Sequence, residues 1–199
     1  MNSSLRKTLR QKRKTITDTE KEQFGQQLTQ VCAYDPWLTD SQHIACFLDS
    51  DGEIATGALI QQLQAMGRSV YLPVLDPTKT NELLFVGYQP NDKLIPNKYG
   101  ILEPDLASLT PINSCDLDLV LMPLVAFDGR GNRLGMGGGY YDRTFSFLID
   151  NKTTSQDSQP RMAGLAYSFQ QVDQLEPASW DVPLQKVFTE RAVISVQAN

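Results

Sequence analysis

Four glycines occupy five positions, Gly135, Gly137, Gly138 and Gly139, with Arg133 ahead of them and Tyr140, Tyr141, Asp142 and Arg143 directly behind. Glycine at that density means unusual backbone dihedrals or room for something bulky against the main chain. A glycine turn between a strand and a helix gathers freed N–H groups and the positive helix end on an anion such as phosphate. The flanking arginines can add charge-assisted bonds to it. Asp142 beside the turn suits magnesium, which binds through one or two carboxylates plus phosphate oxygens. One of the tyrosines can stack on a flat ligand. Each residue also has a plainer use. The glycines fit a tight turn with close helix–strand packing, the tyrosines a core, Asp142 an offset to the helix dipole, and the arginines surface ion pairs.

Two standard nucleotide motifs fail here. A Walker A loop needs G-x-x-x-x-G-K-[ST], and no lysine follows these glycines. A dinucleotide fingerprint needs a third glycine where Tyr140 stands, and it belongs in the first βα turn rather than two-thirds along the chain. His43 is the only histidine, so a two-histidine metal site is impossible, and no G-x-S-x-G elbow accompanies it for a triad. Cys32, Cys46 and Cys115 are widely spaced without a CxxC, which fits reduced cytosolic thiols and predicts a cytoplasmic protein.

The net charge of −5 hides an asymmetry. Arg6, Lys7, Arg10, Lys12, Arg13 and Lys14 place six of the 18 basic residues in the first 14 positions, leaving 12 basic against 23 acidic residues elsewhere. A general nucleic-acid binder spreads positive charge over a face of its body. A basic segment on an acidic body predicts instead a specific anionic ligand or a solvated helix face, with no nucleic-acid partner. Leu5, Leu9 and Ile16 lie at helical spacing with Arg6, Arg10 and Arg13 beside them, so one stripe can dock while the next presents guanidinium groups. The first 17 residues contain no acid and share the make-up of a mitochondrial-type leader, but a working role explains them as well. The longest apolar run, Leu119 to Phe127, has nine residues and a proline, too short to cross a membrane.

These residues must be positioned by alternating strands and helices. Thr17 with Glu20 reads as a capping box opening a helix whose buried face is Phe24, Leu28 and Val31 and which Pro36 closes. His43 to Leu48 reads as a strand followed by the loop DSDGE. A helix from Thr56 to Met66 with Gly67 at its end and a strand from Ser69 to Val74 complete a βαβ unit with parallel strands. Leu83 to Tyr88 reads as another strand, Gln89 to Thr110 as a long surface loop, and Leu119 to Met122 as a central strand buried on both faces. The glycine loop follows, then a helix from Gly139 to Ile149, a polar loop from Lys152 to Pro160, a strand from Arg161 to Tyr167, and short strands in KVFTE and AVIS. The class is α/β, an open, mostly parallel but mixed sheet with helices on both faces, in a Rossmann-like three-layer sandwich. Ligands of such sheets sit outside the carboxyl ends of the strands, where the DSDGE and glycine loops would lie.

LVLMPLVAFDGRGNRLGMGGGYYDR closely resembles the signature of 5-formyltetrahydrofolate cyclo-ligases, also called methenyltetrahydrofolate synthetases. The likeness extends to the basic element Arg6 to Arg10, to FLDSDGE, the LPV strand end, NKYGILEP and the closing WDVPLQKVFTE, and so covers nearly the whole chain as one domain, residues 1–199. It implies an α/β sandwich around a mixed sheet and an enzyme that uses ATP and Mg2+ to convert 5-formyltetrahydrofolate, with or without a polyglutamate tail, to 5,10-methenyltetrahydrofolate, ADP and phosphate. In that scheme the formyl oxygen attacks the γ-phosphate, the second folate nitrogen closes the ring on the activated carbon, and phosphate departs. Phosphoryl transfer needs chiefly positioning and charge neutralisation, so a chain with one histidine can perform it.

Residue by residue, the resemblance implies that Arg6, Lys7, Thr8, Leu9 and Arg10, on a basic helix over residues 1–16, contact ATP. Arg133, Leu134, Gly135, Met136, Gly137, Gly138, Gly139, Tyr140 and Tyr141 wrap the nucleotide. Asp142 and Asp181 hold magnesium, and Leu48, Glu53 and Met136 to Tyr140 face the folate. Arg133, Tyr140 and Asp142 are then the catalytic residues, in an enzyme expected to act as a monomer. Met136, Gly138 and Gln185 depart from residues frequent in relatives. The competing readings are a folate- or nucleotide-binding regulator without turnover, and a nucleic-acid module using the basic helix.

Overall fold

A computed structural model describes residues 2–149 and 159–196; the loop expected from Lys152 to Pro160 lies largely outside the described residues. The basic segment is a helix, α1 (Asn2–Arg13), with Arg10, Lys12 and Arg13 in its last turn, where cations complement the helix dipole. The capping box forms: Thr17 Oγ1 accepts from Glu20 N at 3.3 Å and Glu20 accepts from Thr17 N at 2.9 Å, opening α2 (Asp18–Cys32). Pro36 does not close that helix. It starts a four-residue one, α3 (Pro36–Thr39), under Asp35 as N-cap.

The βαβ unit is β1 (His43–Ala45), α4 (Gly57–Ala65) and β2 (Ser69–Leu75), with β1 and β2 parallel in the register Ile44 to Val70. The strand expected over His43 to Leu48 is half as long, because the chain leaves the sheet at Cys46 to form the site loop. β3 (Leu83–Gly87) returns antiparallel to β2. The segment 89–110 is not a bare loop. It contains a hairpin of β4 (Leu94–Pro96) and β5 (Leu102–Pro104), three residues each, turned at Asn97–Gly100. β6 (Pro111–Ile112) then pairs with β3 at the sheet edge.

β7 (Leu119–Pro123) is central and apolar on both faces, as expected for a strand covered on both sides. The glycine loop does not follow it directly. The end of the apolar run forms a small hairpin, β8 (Ala126–Phe127) and β9 (Arg133–Leu134), and the loop leaves from β9. The helix after the loop, α5 (Tyr140–Thr144), has five residues rather than eleven and gives way to a 3-10 turn, Ser146–Leu148. β10 (Arg161–Leu165), β11 (Lys186–Phe188) and β12 (Val193–Ser195) complete an eight-stranded sheet in the order β12-β11-β10-β7-β1-β2-β3-β6. Its middle is parallel and its edges antiparallel.

One face of the sheet packs on α2 and α4 through Leu28, Cys32, Leu59 and Leu63, all fully buried. The other packs on α5 and its 3-10 turn through Phe145. Leu9 of α1 docks in a third cluster with Val125, Ala126, Leu134 and Leu175, so α1 rides on the β8–β9 hairpin at the carboxyl edge of the sheet. The three cysteines are unpaired, and burial pushes the Cys46 thiol up to about 12. His43 bonds the Tyr71 hydroxyl at 2.9 Å at the opposite strand ends, away from the glycine loop. No helix of the described residues is long and apolar enough to cross a membrane.

The hairpin that launches the glycine loop depends on Asp128, which accepts from Arg130 N, Asn132 N, Asn132 Nδ2 and Leu175 N, and on Gly131 at φ +83°. A Cβ at Gly131 would overlap the Leu184 carbonyl oxygen, which lies beside a strand of the main sheet. Gly131→Ala therefore combines left-handed strain with a backbone clash. It should cost about 2–3 kcal/mol and lower the melting temperature by roughly 5–10 °C in calorimetry; an unchanged melting temperature would refute this account of the hairpin.

Candidate active site

The glycine loop forms one wall of a cavity of about 340 Å3 whose lining includes Arg6, Glu53, Arg133, Asp142, Trp180 and Asp181 with the main chain from Leu134 to Tyr141. Two arginines clamp the loop from opposite sides: Arg6 Nε donates to Gly135 O at 2.8 Å and Arg143 Nη1 to Gly138 O at 2.7 Å. Gly137 and Gly139 adopt φ of +97° and +65°, so the turn needs glycine there. Gly135 does not share that need. A Cβ on it would meet no protein atom within 4 Å, so its lack of a side chain leaves open space at the cavity wall. Both readings of the glycines thus hold, at different positions. With α5 only five residues long, the positive charge here comes from side chains more than from a helix end.

Arg133 is nearly buried, its side chain 6% exposed, and its guanidinium is paired with Asp142 Oδ1 and the Val182 carbonyl. It holds the carboxylate from behind. Asp142 Oδ1 also accepts Val182 N at 3.1 Å, and Asp181 Oδ2 accepts Ala178 N at 2.8 Å. Each aspartate is oriented through one oxygen, while Asp142 Oδ2 and Asp181 Oδ1 receive no hydrogen bond among the described residues. No group of three or more metal-ligating side chains exists among the described residues. Two oriented carboxylates on one cavity are the donor set that magnesium shares with phosphate oxygens, so the residues present fit that ion.

α1 brings its cations to this cavity through an interaction that spacing did not reveal. Asp51, in the loop after β1 and at φ +47°, pairs with Arg10 Nε at 2.7 Å, Arg13 Nη2 at 3.1 Å and Lys14 Nζ at 3.1 Å. Burial works to raise its pKa, but the hydrogen bonds of Arg10 and Lys14 and the charges of Arg10 and Arg13 overcome that and hold it at about 2. Arg13 is buried completely. Its Nη2 also donates to Asp51 O at 3.1 Å, and its Nη1 donates to Leu124 O at 3.3 Å and lies 3.9 Å from Glu53 Oε1, while Nε has no partner among the described residues. Arg6, Lys7, Arg10 and Lys14 rim a shallow recess of about 670 Å3 along the helix, which joins the glycine cavity at Arg6. Thr8 is exposed and Leu9 is core, so neither faces either space.

A second cavity, of about 160 Å3, opens across a wall that Glu53, Pro123, Tyr140 and Tyr141 share with the first. Leu48 lines it, with Leu72, Pro73 and Leu75 of β2 and Ile101 and Leu102 of the β4–β5 hairpin. Tyr140 stands at the junction, its hydroxyl 2.8 Å from that of Tyr99 at the hairpin tip. Burial raises the Tyr140 pKa, so its hydroxyl stays protonated at neutral pH. Glu53 is raised as well by burial, opposed by the Ser50 N–H and the Arg13 charge.

A basic recess, a glycine wall with two carboxylates and an apolar slot thus run in sequence along the carboxyl edge. The family model described as the 5-formyltetrahydrofolate cyclo-ligase family matches residues 1–190. The chain belongs to the 5-formyltetrahydrofolate cyclo-ligase family. It is 41% identical to the Escherichia coli (strain K12) 5-formyltetrahydrofolate cyclo-ligase over 188 residues, which is 93% of this chain and 98% of that one. It is also 41% identical to the Haemophilus influenzae protein of the same name over 182 residues, 90% of this chain and 92% of that one. The NMR structure of Aquifex aeolicus 5,10-methenyltetrahydrofolate synthetase matches with a TM-score of 0.80, covering 100% of this chain and 94% of that one at 27% identity.

As a member of the cyclo-ligase family the chain is a ligase that acts on a folate. The cavities gather nearly all the residues that the sequence singled out, from Arg6 and Arg133 to Asp181, with Leu48 and Glu53 across the shared wall. Asp51, Arg13, Asn97, Tyr99, Glu103 and Trp180 were not singled out as site residues. The NKYGILEP and WDVPLQKVFTE likenesses were the available signals for four of them, Asn97, Tyr99, Glu103 and Trp180; the Asp51 contacts span 37 to 41 residues and leave no local trace.

Asp51→Asn removes the counter-charge of three cations, one of them buried. It should destabilise the fold by about 2 kcal/mol at pH 7, less than the roughly 3–5 kcal/mol of a fully buried pair because Arg13 keeps its backbone acceptors. Since Asp51 is depressed from 3.8 to about 2, its contribution is present above pH 3.8 and is lost as pH falls toward 2. The melting-temperature gap between wild type and variant should therefore close as pH falls from 5 toward 2; a gap that stays constant would contradict the pairing.

Proposed function

We propose that the protein catalyses the ATP- and Mg2+-dependent conversion of 5-formyltetrahydrofolate to 5,10-methenyltetrahydrofolate with release of ADP and phosphate. The observation that carries this reading is the wall shared by the two cavities. Phosphates on the glycine side and a folate ring on the apolar side would meet at Tyr140.

Bound ATP would supply the phosphoryl group, and Asp142 and Asp181 would hold a magnesium ion able to neutralise its charge. The protein's own part is positioning. Arg6, Lys7, Arg10 and Lys14 are the cations along the recess suited to the phosphate chain, and Arg133 holds Asp142 in place. Leu48 and Glu53 flank the folate, and the protonated Tyr140 hydroxyl donates near the formyl group. The formyl oxygen attacks the γ-phosphorus and ADP leaves. The second folate nitrogen then attacks the activated carbon and loses its proton, and the C–O bond breaks to release phosphate. No acid or base of unusual strength is needed, which agrees with a site that holds no histidine.

Mixing the protein with 5-formyltetrahydrofolate and Mg2+ should give the near-ultraviolet absorbance of the methenyl product only when ATP is added; an equal rise without ATP, or none with it, would refute the reading. Asp142→Asn should lower kcat by about 100-fold at low magnesium, with partial recovery as magnesium is raised. Full activity of that variant at limiting magnesium would remove Asp142 from the metal site.

A further inference from the structure

Two carboxylates line the apolar cavity, Glu53 and Glu103, and only Glu53 also lines the glycine cavity. Glu103 lies on β5 of the hairpin, away from the phosphate side. Its Oε2 accepts Asn97 Nδ2 at 2.9 Å and Leu75 N at 3.3 Å. Asn97 is itself fixed, since its Oδ1 accepts Tyr99 N at 2.9 Å and Ile101 N at 3.1 Å. The hairpin turn thus orients this carboxylate through one oxygen. Oε1 receives no hydrogen bond among the described residues, and no lysine or arginine lines the cavity to serve as counter-ion. An oriented carboxylate among Leu72, Pro73, Leu75, Ile101 and Leu102 calls for donors from a ligand.

The folate ring has such donors at one end. Its 2-amino group and N3–H are adjacent and parallel, the arrangement that a carboxylate accepts in bidentate fashion. That edge belongs to the pyrimidine ring, whereas the nitrogen that carries the formyl group belongs to the fused reduced ring. With the formyl group beside Glu53 and Tyr140, which border the glycine side, the donor edge would turn toward Glu103, which lines the apolar cavity alone. We propose that Glu103 is the residue that reads the 2-amino and N3–H edge of the pterin and sets the selectivity of this cavity, an inference that rests on the folate reading above.

Glu103→Gln keeps the shape and an acceptor for Asn97 and Leu75, but replaces the free oxygen by an NH2 that faces the ligand's donors. Binding is read by titration calorimetry of the full chain with 5-formyltetrahydrofolate and with an analogue in which methyl replaces the 2-amino group. The variant should bind the parent about 10- to 100-fold more weakly, the usual worth of one or two hydrogen bonds to a charged group, and the analogue, which keeps N3–H but lacks the second donor, more weakly by a clearly smaller factor of about 3- to 10-fold. The wild type should itself lose affinity for the analogue, and the variant's KM for ATP should move little. An equal loss for both ligands would assign Glu103 a structural role in the hairpin and overturn the proposal, as would no loss for the parent. If wild type fails to bind 5-formyltetrahydrofolate at all, the folate reading falls and takes this inference with it. A wild type that binds both ligands equally well would overturn the inference alone.

Discussion

One guanidinium ties the site together. Arg13 leaves the last turn of α1, is buried completely, and reaches both the loop after β1 at Asp51 and the segment after β7 at Leu124 O. Those two segments can meet at one side chain because β1 and β7 are parallel neighbours in the middle of the sheet. From that pair the chain runs outward in both directions, β2 and β3 on one side and β10 and β11 on the other. Connections therefore diverge above the carboxyl ends of β1 and β7 and leave a crevice there, the general reason that open α/β sheets bind ligands at such points. α1 closes one end of the crevice, and the β4–β5 hairpin closes the other.

The charges follow from that geometry. A buried arginine is tolerable only with a partner, and Asp51 is that partner while also gathering Arg10 and Lys14. The same carboxylate thus anchors α1 and aligns its cations along the recess. Arg133 plays a matching part on β9, where it fixes Asp142. Gln185 shows how a departure from a family pattern can be absorbed: its Oε1 accepts Met162 N at 2.7 Å beside the β10–β11 pairing, a bond that needs no charge.

What the sequence revealed and what it concealed divide along the range of the interactions. The Thr17–Glu20 box, the β1-α4-β2 unit and the buried β7 are set by neighbours within a few residues and were legible. The β8–β9 hairpin was hidden inside the apolar run Leu119 to Phe127, because Val125 and Ala126 are apolar for a different reason from β7: they lie beneath Leu9 of α1. The β4–β5 hairpin reads as a loop because each of its strands has three residues and ends in a proline, with Asn97 and Gly100 in the turn between them. α5 ends early because Phe145, at φ −108°, turns into the core against Phe85, a tertiary demand that overrides helical spacing. Within the site, the glycine loop and both aspartates were readable as types, whereas the shared wall and the Asp51 hub depend on contacts between distant segments.

On the proposed reaction, phosphoryl transfer passes directly from nucleotide to formyl oxygen where the two cavities meet at Tyr140. Turnover of 5-formyltetrahydrofolate carrying 18O in the formyl group, followed by mass spectrometry of the released phosphate, tests it most directly. Each released phosphate should carry one 18O atom, because the formyl oxygen attacks phosphorus and leaves with it. Phosphate free of the label, with the 18O recovered in water, would mean that ATP is hydrolysed apart from the folate and would contradict the account.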